Sequence, residues 1–264
     1  MTELPHSSWA EVYDLAYERS FGRLYADLSA QTIRVIMDRV PSPAKVVDFG
    51  AGTGRLSIPL SESGYDVLAV DPCGEMLQQL RKKDPESKVT LCESRMQDFA
   101  GADDCDLALC VFTVLLYLPE THSLDASFEA AFRSLRAGGH LLIDIPQRGI
   151  FSSYERSDEE IDRRVTVKEL DNDVFSYREE LTVRKSEEES SYVDEFQIRY
   201  WPVDEVMRAM EKAGFLMAED CSDLLCGSGS HYYLMKKPHE AGRKIRTGDL
   251  LPQQSAPPSH VTHL

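Results

Sequence analysis

Two carboxylates and three glycines, placed as strand ends and a turn would place them, carry the most chemistry in this chain. Asp48 lies near the end of an apolar run that includes Val46, Val47 and Phe49, and Gly50, Ala51, Gly52, Thr53 and Gly54 follow at once. Glycine reaches positive φ without a Cβ clash and lets the backbone approach a ligand closely, so the segment reads as a strand, a tight turn and a helix start. A second apolar run, 67–70, ends at Asp71, about one helix and one strand after Gly54. A carboxylate there suits bidentate hydrogen bonding to the two hydroxyls of a ribose. Together the two segments describe a nucleoside-binding site.

Asp48 narrows the ligand. A dinucleotide site with G-x-G-x-x-G spacing sets a helix N-terminus against a pyrophosphate, and an added acid would repel that anion. The spacing here is G-x-G-x-G with the acid in place. That combination favours a ligand with a cationic amino-acid end, as the methionine part of S-adenosylmethionine has.

The elements that must hold these residues follow from hydrophobic periodicity. Strand-like runs at 46–49, 67–70, 88–91, 106–112 and 140–145 alternate with helical stretches, which predicts a parallel, doubly wound α/β sheet. Met76, Leu77 and Leu80 form the core stripe of the helix after the second strand. Leu124, Phe128, Phe132 and Leu135 do the same before the fifth, where Gly138 and Gly139 are expected to stop the helix. Pro59 falls inside the helix that follows the glycine turn and predicts a local kink. Within 161–201 the period changes to two, at Val165 and Val167, at Phe175, Tyr177, Leu181 and Val183, and at Phe196, Ile198 and Tyr200. This predicts a small antiparallel sheet with a charged hairpin tip at 186–191. A helix over 203–213 stopped by Gly214, then strands near 216–225 and 231–235, would finish the main sheet. The expected organisation is a helical cap at 1–40, a cofactor-binding core at 41–150 and 202–237, an acceptor lid at 151–201, and a disordered tail at 238–264, where Gly, Pro, Ser, Gln and His dominate.

Composition bounds the partners. The 264 residues are 42% hydrophobic, enough for a sizeable core, and 29 basic against 45 acidic residues leave a formal charge of −16. Such a charge opposes docking on a phosphate backbone, so a small-molecule partner is favoured over nucleic acid. Residues 1–10 lack the basic and apolar regions of a signal peptide and no run is long enough to span a bilayer, so a cytoplasmic protein without membrane contact is expected. The six cysteines form no C-x-x-C pair and read as reduced structural thiols; the seven histidines have no ligand spacing, so no metal site is expected. A homodimer is left open.

The motif residues resemble those of the class I S-adenosylmethionine-dependent methyltransferases, whose first motif is acid-x-G-x-G-x-G. The likeness is greatest to the small-molecule branch that includes glycine N-methyltransferase and the aminosugar N,N-dimethyltransferases. It implies a Rossmann-like fold with a seven-stranded, mostly parallel sheet and an antiparallel last strand. It also implies that Asp48, Gly50, Ala51, Gly52 and Gly54 hold S-adenosylmethionine, with Asp71 and Pro72 at the ribose and Met76 over the adenine. Tyr13 and Tyr25 match N-terminal helices that fold over the cofactor, with Tyr17 toward the acceptor. Arg95 stands where the family has an acid beside the adenine amine, a departure that leaves the backbone at Met96 for that contact. Val111 and Phe112 fall in the fourth motif beside the transferable methyl, and no N/D-P-P-Y/F/W signature of DNA or glutamine-amide methylation is present. Tyr117, Asp144, Tyr154 and Tyr200 would wall the acceptor pocket.

A sulfonium is already electrophilic, so proximity in a dry pocket carries most of the rate and an amine acceptor needs no dedicated base. An alcohol would need one, and His122, just beyond the fourth motif, is the candidate. The expected activity is methyl transfer to N or O of a small molecule. A transfer RNA or protein methyltransferase and a catalytically silent S-adenosylmethionine-binding regulator are the alternatives, with a dinucleotide oxidoreductase behind them.

Overall fold

The computed structural model describes residues 4–101, 103–185 and 188–239. A 3-10 turn, Ser7–Val12, leads into helices α1 (Tyr13–Phe21) and α2 (Arg23–Arg39). The core then alternates β1 (Lys45–Phe49), α3 (Ser57–Glu62), β2 (Asp66–Asp71), α4 (Gly74–Lys83), β3 (Val89–Glu93), β4 (Cys105–Cys110), α5 (Thr121–Ser134) and β5 (Leu135–Pro146). An insertion follows, of strands β6 (Tyr154–Ser157), β7 (Ile161–Asp171), β8 (Val174–Lys185) and β9 (Glu188–Arg199). Helix α6 (Val203–Ala213) and strands β10 (Leu216–Asp220) and β11 (Ser230–Lys236) return to the core.

The main sheet has the order β10-β11-β5-β4-β1-β2-β3. β1 pairs in parallel with both β2 and β4, whereas β11 pairs antiparallel with β5 and with β10. Because β1, β2 and β3 run outward on one side and β4 and β5 on the other, the order reverses beside β1, and a crevice opens at the carboxyl ends there. The central strands are apolar on both faces because helices cover both. Val47, Phe49, Ala108 and Ile143 pack on Leu124 and Phe128 of α5 and Val206 and Met210 of α6. Val46, Leu107, Leu109 and Leu142 face Val35 and Ile36 of α2 and Leu60 of α3. Each such side chain, fully buried, contributes about 1.5–3 kcal/mol.

The inserted strands form a separate antiparallel sheet, β6-β7-β8-β9. Its period-two pattern buries Ile161, Leu181 and Val183 against Trp9, Val12 and Ala16 of the N-terminal segment. A second patch, Phe175 and Ile198, packs on Leu116. The N-terminal helices and the insertion are therefore packed on one another above the crevice.

Several boundaries differ from the sequence expectation. α5 ends at Ser134 and β5 starts at Leu135, ahead of Gly138 and Gly139. Gly138 sits inside the strand at φ 80°, and its N–H donates to the Lys237 carbonyl at 2.9 Å, so it bends a strand where it was expected to stop a helix. Pro59 is the third residue of the short helix α3, and the N–H groups on either side of it, of Ile58 and Leu60, still donate to the Gly54 and Leu56 carbonyls at 3.1 and 3.0 Å, so the turn continues through the proline. Glu188 to Ser191 are paired strand residues of β9, which leaves only 186–187, outside the described residues, for the hairpin tip. The run 216–225 splits into β10 and a 3-10 turn, Ser222–Leu225. α6 ends as expected at Gly214, whose φ of 107° suits its position and whose Cβ would meet the Phe132 ring at 2.9 Å. The expected tail lies, from residue 240 onward, outside the described residues. No helix among the described residues is long and apolar enough to cross a membrane.

Candidate active site

The crevice is a cavity of about 730 Å³ between the carboxyl ends of the main sheet, the N-terminal helices and β9. Its floor is the turn after β1. Gly50, Gly52 and Gly54 adopt φ of 72°, 55° and 87°, and the Gly50 N–H donates to the Val70 carbonyl at 2.8 Å, which ties the turn to β2. A Cβ on Gly50 would lie 2.4 Å from Val114 Cγ2. Gly50 and Gly52 line the cavity; Gly54 does not, since its α-carbon faces Leu80 and Ile58, and a Cβ there would come 2.7 Å from Leu80 Cγ. Gly54 thus serves helix packing.

Three carboxylates face this floor. Asp71 ends β2, and its two oxygens accept the N–H groups of Gly52 and Cys73, each at 2.8 Å. Each oxygen keeps a further lone pair. Burial raises the Asp71 pKa, opposed by those two N–H bonds. Asp48 lines a smaller adjoining cavity with Ala51 and Val111 and accepts the Ser57 hydroxyl at 2.6 Å. Burial pushes its carboxyl up to about 7; the Ser57 bond opposes this and the neighbouring Asp71 charge adds to it. Asp144, at the end of β5, accepts the Thr113 N–H at 3.0 Å, and burial raises it to about 6.

The wall after β4 is strained. Phe112 and Thr113 are consecutive non-glycine residues at φ 64° and 71°, a conformation that persists only when neighbours impose it. Asp144 holds the Thr113 N–H, and the Arg55 guanidinium lies 3.6 Å from the Phe112 ring centroid. The other face of that guanidinium is 3.6 Å from the Tyr25 ring, and its N–H groups donate to the Tyr25 carbonyl at 2.7 Å and the Ser29 hydroxyl at 2.6 Å. Arg55 therefore clamps α2 to the glycine turn. Asp14 of α1 acts alike, accepting the Thr53 hydroxyl at 2.6 Å and the Lys83 ammonium at 2.6 Å.

The roof is aromatic. Tyr13 and Tyr17 stack at 4.3 Å, Tyr17 lies 5.6 Å from Tyr25, and Tyr117 lies 5.8 Å from Phe196 of β9. Beneath the inserted sheet Arg163 and Glu179 form a fully buried ion pair at 2.5 Å, with the guanidinium 4.4 Å from the Tyr17 ring. Pro72, Met76, Arg95 and Met96 complete the β2–β3 end of the cavity.

The structure thus brings most of the expected residues to one cavity. It does not bring His122 there: that imidazole is 78% exposed on the first turn of α5 and pairs with Glu120 at 2.9 Å, so it cannot take a proton from an enclosed acceptor. Tyr200 lies beyond the end of β9, packed on Phe151 at 5.7 Å and under Arg148 at 5.2 Å, outside the cavity walls. Tyr154 packs on Phe21 and near Arg163, behind the roof. Conversely, Arg55, Thr113, Phe196, Tyr232 and His6 line the cavity without having been singled out. Arg55 follows the glycine turn directly and was legible there as a cation at a helix start. His6 had no motif around it.

Residues 46–139 match the family described as Methyltransferase domain. The putative methyltransferase YqeM of Bacillus subtilis is 24% identical over 226 residues, covering 78% of this chain and 89% of that protein. An S-adenosylmethionine-dependent methyltransferase from Clostridium acetobutylicum superposes with a TM-score of 0.75 at 18% identity, over 86% of this chain and 98% of that one. CalS10 of Micromonospora echinaspora, an amino pentose methyltransferase solved with S-adenosylmethionine bound, gives 0.70 at 20% identity, over 86% and 96%. These structural likenesses establish the fold, and the matched domain supplies the chemistry. With its glycine turn and strand-end acids at the mouth of that fold, the chain carries a methyltransferase domain over residues 46–139.

Proposed function

We propose that the enzyme methylates a nitrogen or oxygen atom of a small molecule held in the cavity beside the cofactor. The observation that carries this reading is the cavity: the N-terminal helices and the inserted sheet overhang a half-open space of about 730 Å³, a size that suits a cofactor and a small ligand side by side. The formal charge of −16 points the same way, against a polyanionic acceptor. The amino pentose acceptor class named for CalS10 fits such a space.

The residues present fit the cofactor. Gly50 and Gly52 bring bare backbone to the cavity wall, and Asp71 offers its spare lone pairs to the ribose. Met76, Arg95 and Met96 would flank the adenine, with the Met96 backbone toward its amine. Asp48 and Asp144 balance positive charge at the methionine end. S-adenosylmethionine supplies a methyl carbon activated by a sulfonium. The protein's part is to align the acceptor's lone pair with that carbon and to keep water out, which the Tyr13, Tyr17 and Tyr25 rings do while offering π-faces to a cation. Residues 151–201 then act as the acceptor lid, with the helices of 1–40 as a cap.

The test is release of S-adenosylhomocysteine with purified enzyme against glucosamine, N-methylglycine, catechol and transfer RNA. Turnover with a small amine or hydroxyl compound supports the reading. Turnover with transfer RNA alone, or cofactor binding without turnover on any small acceptor, overturns it.

A further inference from the structure

We propose that His6 is a positioning residue that locks the Tyr117 hydroxyl with its lone pairs toward the cavity, so that the acceptor presents an N–H or O–H hydrogen there. The inference rests on the small-molecule reading and specifies which atoms of the acceptor the pocket recognises.

The geometry fixes the tautomer. His6 Nε2 lies 2.9 Å from the Tyr117 hydroxyl oxygen, while Nδ1 lies 3.8 Å from Glu179 Oε2 and 3.8 Å from Asp194 Oδ2. A bare lone pair on Nδ1 would point at two carboxylate oxygens and be repelled, whereas a proton on Nδ1 is attracted to both. Nδ1 therefore carries the hydrogen and Nε2 is the acceptor. Tyr117 has one hydroxyl hydrogen, and it is committed to Nε2. What the phenol shows the cavity is its oxygen lone pairs.

The surroundings hold this arrangement in place. His6 is buried and adopts φ 65°, uncommon for a residue other than glycine, and its backbone N–H donates to Asp194 at 2.5 Å. Its ring meets Trp9, Tyr13 and Phe196 edge-on at 5.0–5.5 Å. Tyr117 is 36% exposed although it faces inward: the area belongs to the cavity it lines. The 3-10 turn Val114–Tyr117 that carries it is anchored by the Trp201 indole N–H, which donates to the Leu118 carbonyl at 3.0 Å. The charged and titratable groups around the imidazole are Arg163 from β7, Glu179 from β8, Asp194 from β9, Tyr13 from α1 and Tyr117 itself. Burial, with the Arg163 guanidinium adding to it, holds the imidazole far below its usual pKa, at about 3. The ring stays neutral across the working pH range, and the direction of the Tyr117 bond does not change with pH.

A pocket built this way discriminates by hydrogen. A primary or secondary amine or a hydroxyl can donate to Tyr117 and still aim a lone pair at the methyl carbon. A carboxylate or a fully substituted amine leaves the phenol oxygen unpaired or meets it oxygen to oxygen, and is disfavoured.

Two experiments decide the matter. Nitrogen-15 NMR of histidine-labelled enzyme with S-adenosylhomocysteine bound should show His6 as the neutral Nδ1–H tautomer at pH 7, with its Nε2 resonance displaced by Tyr117→Phe. An Nε2–H tautomer, an imidazolium, or a resonance indifferent to Tyr117→Phe overturns the proposal. Kinetics with whichever of glucosamine, N-methylglycine or catechol the enzyme turns over should show acceptor KM raised about ten-fold or more by Tyr117→Phe and by His6→Asn. Asn enters the left-handed region readily, so the second variant keeps the local fold. The S-adenosylmethionine Kd should be unchanged in both variants. Unchanged acceptor KM in both variants also overturns the proposal. If none of the three probes is methylated by the unaltered enzyme, the small-molecule reading fails, and the NMR result still judges the lock.

Discussion

Asp71→Asn tests how the strand-end acid holds the cofactor. The side chain is 8% exposed, and each carboxylate oxygen already accepts one backbone N–H, from Gly52 and from Cys73 at 2.8 Å. An amide keeps one of these bonds and turns its NH₂ against the other N–H, leaving a buried donor unpaired at a cost of about 1–3 kcal/mol in stability. The same change removes the negative charge and one acceptor from the pair proposed to meet the ribose hydroxyls, worth about 1.5–3 kcal/mol of binding. The expected result is a Kd for S-adenosylmethionine raised about 10- to 150-fold by calorimetry, in a protein whose circular dichroism shows it folded. Thermal unfolding with and without cofactor separates the two effects: the ligand-free midpoint falls, and the upshift on adding cofactor shrinks as well. Wild-type affinity in the folded variant would refute the assignment of this carboxylate to the ribose.

The remaining expectations concern other parts of the molecule. For Asp48 the folded-state pKa of about 7 lies above the 3.8 of an unperturbed carboxyl, so the fold holds the proton more tightly than the unfolded chain and loses stability as pH rises from about 4 through 7. Urea titrations should show the wild type losing ground to Asp48→Asn across that window, and a pH-independent difference would count against it. Arg163→Met strands the buried Glu179 carboxylate and should cost about 3–5 kcal/mol, whereas adding Glu179→Leu should recover most of it; a single-variant cost below about 1 kcal/mol would contradict a desolvated pair. Gly54→Ala forces a Cβ to within 2.7 Å of Leu80 Cγ at a φ of 87°, so melting temperature should drop while cofactor Kd of the folded fraction holds. Phe196→Ala opens the β9 side of the roof and should raise acceptor KM without altering S-adenosylmethionine Kd, and parallel loss of both would argue against a separate acceptor lid.

The cofactor half was legible because its chemistry is local. A glycine turn with positive φ, an acid two residues before it and an acid ending the next strand are each imposed by backbone geometry within a few residues, so Gly50, Gly52 and Asp71 could be placed in one cavity before any fold was known. The alternation of two-face apolar runs with helical stripes likewise marked β1 to β5, since parallel strands covered on both sides have no polar face to hide. Where local signals competed, they misled. Gly138 reads as a helix stop, yet it bends β5, because the C-terminal strand pairs beside it and takes its N–H.

The acceptor side was decided by tertiary structure. Strand periodicity alone cannot say which side chains of 151–201 meet the cavity, and those that do, such as Phe196, are chosen by how the inserted sheet lies on the N-terminal helices. His122 followed a recognisable motif and points to solvent, whereas His6 followed none and is brought to Tyr117, 111 residues away, by packing against β8 and β9. Local sequence sets backbone conformation and the face a residue occupies. The protonation state of an imidazole, the direction of a phenol's hydrogen bond and the pairing of Arg163 with Glu179 depend on desolvation and on charges from distant strands, and those exist only once the chain has folded.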